Sequence, residues 1–163
     1  LSIGDAIAVA TINKKKISKK DFKKYHPSGS LGTKLKTVED LMLTGKKIPF
    51  IKETDTMRKA FNIITKKNLG TLIVINNKNQ TTGIITDGQI RRITEKKSNL
   101  YDLSVKQIMT KNPISIDKDS LAVKALKLMS EKKITSLCVH TKKNKNKTIG
   151  ILHIHTLLES SIN

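Results

Sequence analysis

Three histidines and one strand-to-helix junction carry most of the chemistry this sequence could do. His26 stands in Tyr25-His26-Pro27-Ser28-Gly29-Ser30-Leu31-Gly32, whose glycines, serines and proline read as a shaped loop. An imidazole titrates near neutrality, so a loop histidine can take and return a proton; its structural role would be to pin the chain there. His153 and His155 stand two apart in Gly150-Ile151-Leu152-His153-Ile154-His155, where a strand would turn both to one side. That spacing could invite a metal, but no third His, Cys or carboxylate accompanies the pair locally, so no metal site is expected. Thr86, Asp87 and Arg91 lie in Gly83-Ile84-Ile85-Thr86-Asp87-Gly88-Gln89-Ile90-Arg91-Arg92. A hydroxyl, a carboxylate and a guanidinium there are groups of the kind that hold polar ligands. No Gly-rich phosphate cradle is visible and no cofactor is expected. Cys138 falls in an apolar run and reads as a buried, inert thiol.

The elements that position these residues come in two copies. Leu72-Ile73-Val74-Ile75 and Gly83-Ile84-Ile85 are short runs rich in β-branched residues, joined by the polar turn Asn76–Gln80. Thr86 or Asp87 can cap the helix that follows. Sixty-five to sixty-seven residues later the pattern returns as Leu137-Cys138-Val139, a lysine-asparagine turn, and Ile149–His155. Upstream, Val38-Glu39-Asp40-Leu41-Met42 answers to Val105-Lys106-Gln107-Ile108-Met109, and Ile48-Pro49-Phe50-Ile51 answers to Asn112-Pro113-Ile114-Ser115-Ile116. Met57, Ala60, Phe61 and Ile64 fall on one helix face, as do Leu121, Ala125, Leu128 and Met129. Ser120 is the expected N-cap of the second helix, and Asp55 or Thr56 of the first. The expectation is a mixed α/β (α+β) fold of two strand-helix-strand-strand-helix units with pseudo-twofold symmetry, Ala60 and Ala125 facing inward.

At 163 residues the chain can hold one ordinary core or two small coupled ones. Its formal charge of +19 first suggests nucleic acid or an acidic membrane. Only Arg58, Arg91 and Arg92 are arginines, however, and there is no Trp among few aromatics. Nucleic-acid readers favour arginine forks and stacking rings, so a nucleic-acid partner is not expected. Lys, Ile and Asn all have A/T-rich codons, and base bias accounts for the charge. The run Lys142–Lys147 reads as a solvated hairpin tip. No apolar run approaches the ~20 residues that span a bilayer, and one cysteine fits a reducing cytoplasm. Residues 2–13 read as a small-residue-rich helix, Ser18–Asp21 as a capping box, and the start at Leu1 as a sign of a missing N-terminal part.

The series Met-Thr, Gly-Ile-Ile-Thr-Asp and the returning second copy resembles the CBS domain, here in tandem. The first 37 residues match neither copy. Leu-x-x-Gly-Asp-Ala-x-Ala-Val-Ala, then Asp-Phe, then His26-Pro27-x-Gly29-x-Leu31-Gly32, resembles the end of a sugar isomerase domain. The order of parts, with Thr-Asp-Gly-x-x-Arg-Arg at 86–92 and Gly-x-Leu-His-x-His at 150–155, is similar to the D-arabinose 5-phosphate isomerase family. The resemblance implies three parts: 1–37 as the tail of the isomerase domain and linker, 38–97 and 98–163 as the two CBS copies. It implies an enzyme interconverting D-arabinose 5-phosphate and D-ribulose 5-phosphate for lipopolysaccharide synthesis, homo-oligomeric and tetrameric. His26 would serve as its catalytic histidine, although Ser28 and Ser30 stand where the family usually has Gly and Ala. The sugar phosphate would bind an upstream domain, and this chain alone would be inactive.

CBS pairs that bind adenosine nucleotides usually carry Gly-x-x-Thr/Ser-x-x-Asp, the carboxylate gripping the ribose hydroxyls. Here Gln89 and Thr156 occupy the Asp positions. Each lost charge-assisted bond contributes about 1.5–3 kcal/mol, which argues against tight adenosine binding. By the same resemblance, an anionic ligand such as a nucleotide or nucleotide sugar, held by Thr86, Asp87, Arg91, His153 and His155, stands beside a pair that only builds the oligomer; CMP-Kdo is suggested by the implied pathway and not by these residues. A free-standing CBS regulatory module is the alternative reading.

Overall fold

The protein is described here by a computed structural model over residues 36–95 and 99–162. The expected helix at 2–13, the capping box at 18–21 and the loop carrying His26 lie outside the described residues. Residues 37–163 form one compact unit built of two similar halves. The first runs α1 (Val38–Leu41), β1 (Leu43–Thr44), β2 (Phe50–Lys52), α2 (Met57–Lys67), β3 (Thr71–Ile75), β4 (Thr81–Thr86) and α3 (Asp87–Thr94). The second runs α4 (Val105–Ile108), β5 (Thr110–Lys111), β6 (Ser115–Asp117), α5 (Ala122–Lys132), β7 (Ser136–His140), β8 (Gly150–His153) and α6 (Ile154–Ile162).

The long helices form where apolar periodicity placed them. α2 buries Met57, Ala60 and Ile64, and α5 buries Ala122, Ala125 and Met129, with both central alanines fully enclosed. A methyl at that point lets each helix lie close on its sheet. The start of α5 differs from expectation. Leu121, not Ser120, is the N-cap residue, and it is 37% exposed while Ala122 takes the inward position. In α2 the cap residue is Thr56 without a side-chain cap bond. Asp55 instead accepts from Lys52 N at 3.0 Å and from Lys59 Nζ at 2.9 Å. Burial pushes the Asp55 carboxyl upward, but these two partners outweigh it and hold the pKa below the usual value. The Asn76 turn closes as read, its Oδ1 accepting from Lys78 N and Gln80 N, each at 2.9 Å.

Two four-stranded sheets result, ordered β1-β8-β7-β6 and β2-β3-β4-β5. β2 runs parallel to β3 across the α2 crossover, and β6 parallel to β7 across α5. Within β3, Leu72 and Val74 pack with α2, whereas Ile73 joins Ile48, Cys138 and Ile151 in a separate apolar cluster. A strand covered on both faces has no polar side, which is why this run is apolar throughout. Register also corrects the alignment of the copies. Phe50 pairs with Ile73 as Ser115 pairs with Cys138, so Pro49 corresponds to Ile114 and the two prolines are not equivalent. Thr71 Oγ1 meets Ser136 Oγ at 3.1 Å and Thr81 Oγ1 meets Thr148 Oγ1 at 2.7 Å. Each of these residues touches its own counterpart, so the pseudo-twofold axis passes between them.

The halves also exchange their first segments. β1 adds to β8 and β5 adds to β4, both antiparallel. Val38 belongs to the second core with Ile116, Leu137, Val139 and Leu152, while Leu100, Val105 and Ile108 belong to the first. Backbone bonds repeat the exchange: Val38 N donates to Ser120 O and Val105 N donates to Asp55 O, each at 2.8 Å. Glu39 pairs with Lys118 at 2.8 Å, and at the equivalent junction Lys106 pairs with Glu53 at 3.8 Å. The signs are reversed between the junctions. Docking each segment on its own half would set Glu39 against Glu53 and Lys106 against Lys118, a like-charge penalty that favours the exchange. The pairs are exposed, so they select the arrangement more than they stabilise it.

Each exchanged segment brings a methionine onto a glycine. A Cβ at Gly83 would lie 2.5 Å from Met109 Sδ, and one at Gly150 would meet the Met42 thioether and lie 3.2 Å from Leu43 O. Gly83→Ala is therefore expected to destabilise the fold by about 1–3 kcal/mol through overpacking, measured by urea denaturation. Adding Met109→Ala should recover part of that loss. A Gly83→Ala chain as stable as the parent would contradict this packing.

Candidate functional site

A cleft of about 570 Å³ opens where the two halves meet, beside the Thr71–Ser136 end of the axis. β4 ends at Thr86, whose Oγ1 accepts from Gln89 N at 3.3 Å and so caps α3. This aims the start of α3, with Asp87 and Gly88, into the cleft. Asp87 N donates to Gly70 O at 3.0 Å. Gly70 has φ +59°, and a Cβ there would lie 2.8 Å from Asp87 Oδ2, so only glycine both makes the turn and leaves the carboxylate its place. From the other half come Lys133, Thr135 and Ser136 at the end of α5 and start of β7, then His153 and His155. The link Thr110–Ile114 supplies a further wall through Thr110, Asn112, Pro113 and Ile114.

Of the residues expected here, Thr86, Asp87, His153 and His155 all line the cleft. Arg91 does not; it is exposed on α3, and Arg92 lines the cleft in its stead. Arg92 lies one helical turn beyond Gly88, close enough that a Cβ on Gly88 would be 4.0 Å from the guanidinium. The i, i+4 spacing was therefore a signal in the sequence for choosing between the two arginines. Lys133 had no such signal, since only folding brings it across from the second half. It occupies the left-handed region at φ 52°, where the equivalent position of α2 has Asn68 at φ 51°. A lysine there costs on the order of 1 kcal/mol.

The strand expected through His155 ends at His153, and His155 lies in the first turn of α6. The imidazoles nevertheless meet, stacked at 5.0 Å between centroids with 29° between planes, and His155 N donates to His153 Nδ1 at 3.4 Å. Burial lowers the pKa of His153 below the ordinary 6.5, and the neighbouring His155 lowers it further. The cleft thus combines Arg92, Lys133 and two imidazoles with one carboxylate, an arrangement suited to an anion. Gln89, at the position of the expected ribose-binding carboxylate, donates its side-chain amide to Ile108 O and ties α3 to α4.

A smaller hollow of about 220 Å³ lies beyond Asn112 and Pro113 and reaches Cys138. Burial pushes the Cys138 thiol up to about 11, leaving it protonated and unreactive at neutral pH. In the first half, Ile48 and Phe50 fill the corresponding approach by packing into the Ile73–Ile151 cluster, whereas Ile114 stays 37% exposed. Among the described residues no helix is long and apolar enough to cross a membrane.

Known proteins share this architecture. The family model for the CBS domain matches residues 38–96 and 105–163. The arabinose 5-phosphate isomerase KdsD of Francisella tularensis is 42% identical over 160 residues, 98% of this chain and 48% of that protein. Its Escherichia coli namesake is 37% identical over 163 residues, 99% of this chain and 49% of that protein. The chain therefore spans about half the length of these curated relatives, the half that carries their CBS pair. Among solved structures, an uncharacterized conserved protein from Pyrococcus horikoshii superposes with a TM-score of 0.69 at 25% identity, covering 80% of this chain and 95% of that one. CBSX2, solved in complex with AMP, superposes with a TM-score of 0.66 at 22% identity over 77% of this chain and 96% of that one, a likeness of fold. With two matched copies, exchanged first segments and a shared cleft, this chain belongs to the CBS-domain family and carries its domain as a tandem pair.

Proposed function

We propose that this chain is the regulatory and assembly module of a D-arabinose 5-phosphate isomerase, and that His26 serves that enzyme's active site. The observation that carries the reading is the extent of the similarity. The match to the Escherichia coli isomerase takes in 99% of the chain, and so nearly all of residues 1–37, which neither CBS copy claims. A free-standing CBS module has no need of such a segment. Aldose–ketose isomerisation moves a proton between C1 and C2 through an enediol, and a histidine titrating near neutrality suits that transfer. The complete protein is expected to interconvert D-arabinose 5-phosphate and D-ribulose 5-phosphate. Absence of turnover in a folded, complete protein would overturn the reading.

In this reading the cleft is the effector site, for a nucleotide or nucleotide sugar. Its chemistry disfavours a simple adenosine nucleotide, because the Gln89 side chain is committed to Ile108 O and Thr156 cannot replace a carboxylate. AMP and ATP are expected to bind the chain weakly or undetectably by calorimetry. Low-micromolar affinity for AMP would contradict the assignment of the diol-binding position.

A further inference from the structure

The stacked pair His153–His155 faces a cleft that otherwise presents two cations and one carboxylate. The charged groups that face it are Asp87 and Arg92 from α3, Lys133 from the end of α5, and the two imidazoles themselves from β8 and α6. The Thr110–Ile114 wall contributes hydroxyl, amide and apolar groups to the lining and no charge. We propose that the cleft binds the dianionic phosphate of a phosphorylated small molecule and takes up a proton on the His153–His155 pair as it does so. The inference deepens the effector-site reading and rests on it.

The physical argument is a balance of charge at one place. Without a bound anion, a proton on His153 sits in a partly desolvated position against its stacked neighbour, in a cleft whose lining already carries Arg92 and Lys133. Burial first, and His155 second, oppose its protonation and lower the His153 pKa. A dianion seated among these groups reverses the sign of the local field, so a ring that was neutral gains a proton and attracts the anion by its charge as well as by an N–H donor. By linkage, a ligand that raises the imidazole pKa must bind more tightly as pH falls through that range. The rings stack at 5.0 Å between centroids, so the proton uptake is assigned to the pair and not to one ring. Lys133 contributes a fixed positive charge from a backbone position where its counterpart is asparagine.

Sulfate is the probe of choice, because it is a dianion throughout pH 5–8 and any proton taken up must be the protein's. The 163-residue chain, labelled in its imidazoles, is titrated by NMR from pH 5 to 8 in sodium sulfate and in sodium chloride of equal ionic strength. His140, which lies outside the cleft lining, serves as the internal control. In sulfate the pair's apparent pKa should rise by about one unit over the chloride control while His140 is unmoved. Sulfate affinity should increase about tenfold between pH 7.5 and 5.5. Arg92→Gln should weaken sulfate binding at every pH, and the double change His153→Gln with His155→Gln should flatten its pH dependence. If sulfate perturbs the cleft but the imidazole titration matches chloride, proton uptake is overturned and the effector site stands. If sulfate perturbs nothing in the cleft at any pH, or perturbs only the Lys142–Lys147 turn, both readings fall.

Discussion

On the proposed isomerase reading, replacing His26 by glutamine in the full-length protein is expected to lower kcat by about 10²-fold or more while leaving the melting temperature near that of the parent. Glutamine keeps a hydrogen-bonding side chain of similar reach but does not carry protons at neutral pH. It therefore separates proton transfer from a purely structural role. A residue that pins the chain would act differently: its loss would lower thermal stability or break the oligomer, with kcat nearly intact. Near-normal turnover of the glutamine variant would refute the catalytic role. On the same reading, the 163-residue chain by itself, with His26 present, is expected to show no turnover, since it spans only about half the length of the relatives named as isomerases. Activity from this chain, free of host enzyme, would relocate the active site.

The second large effect is expected at Val38. Its side chain is fully enclosed in the second half's core although its position in the chain is at the start of the first half. Val38→Asp would place a carboxylate among Ile116, Leu137, Val139 and Leu152 with no partner for its charge. The expected loss is about 3 kcal/mol or more in urea unfolding. Val38→Ala, a milder change, locates the effect. Its methyl chemical-shift changes should concentrate on Leu137, Val139 and Leu152, and those of Val105→Ala on Leu72, Val74 and Ile85. Changes at Leu72 and Val74 on replacing Val38 would mean that each first segment docks on its own half. So would a stability loss for Val38→Asp within about 1 kcal/mol of zero, as expected of a surface position.

The two assignments differ in how they could be reached from residues alone. The repeat was legible because apolar periodicity and turn chemistry are local: Met57, Ala60 and Ile64 define a face, and Asn76 closes its own turn. Ala60 and Ala125 lie inward for that reason. The junction at Thr86 was legible too, since a threonine before a helix caps through its own hydroxyl. Where a choice depended on register, local pattern was insufficient. Pro49 and Pro113 look equivalent in a string of letters, but the pairing of Phe50 with Ile73 and Ser115 with Cys138 displaces them by one residue. Arg91 and Arg92 are neighbours of identical chemistry; the i, i+4 spacing from Gly88 favours Arg92, but that Gly88 faces the cleft is known only from the fold.

The sequence by itself determined the identity of the repeated unit, the inward faces of its helices and the residue types at the strand-to-helix junction. All of these follow from interactions within a few residues of one another. Tertiary structure alone decided which half receives each first segment. Val38 and Val105 are equally apolar and equally placed, and the exchange shows only when both cores and the reversed Glu39–Lys118 and Lys106–Glu53 pairs are assembled. It also decided the makeup of the cleft. Lys133 comes from the end of one helix, Arg92 from the last turn of another in the opposite half, and His155 from a helix where a strand was expected. Their convergence is a property of packing around the pseudo-twofold axis, over separations in the chain that no local spacing rule spans.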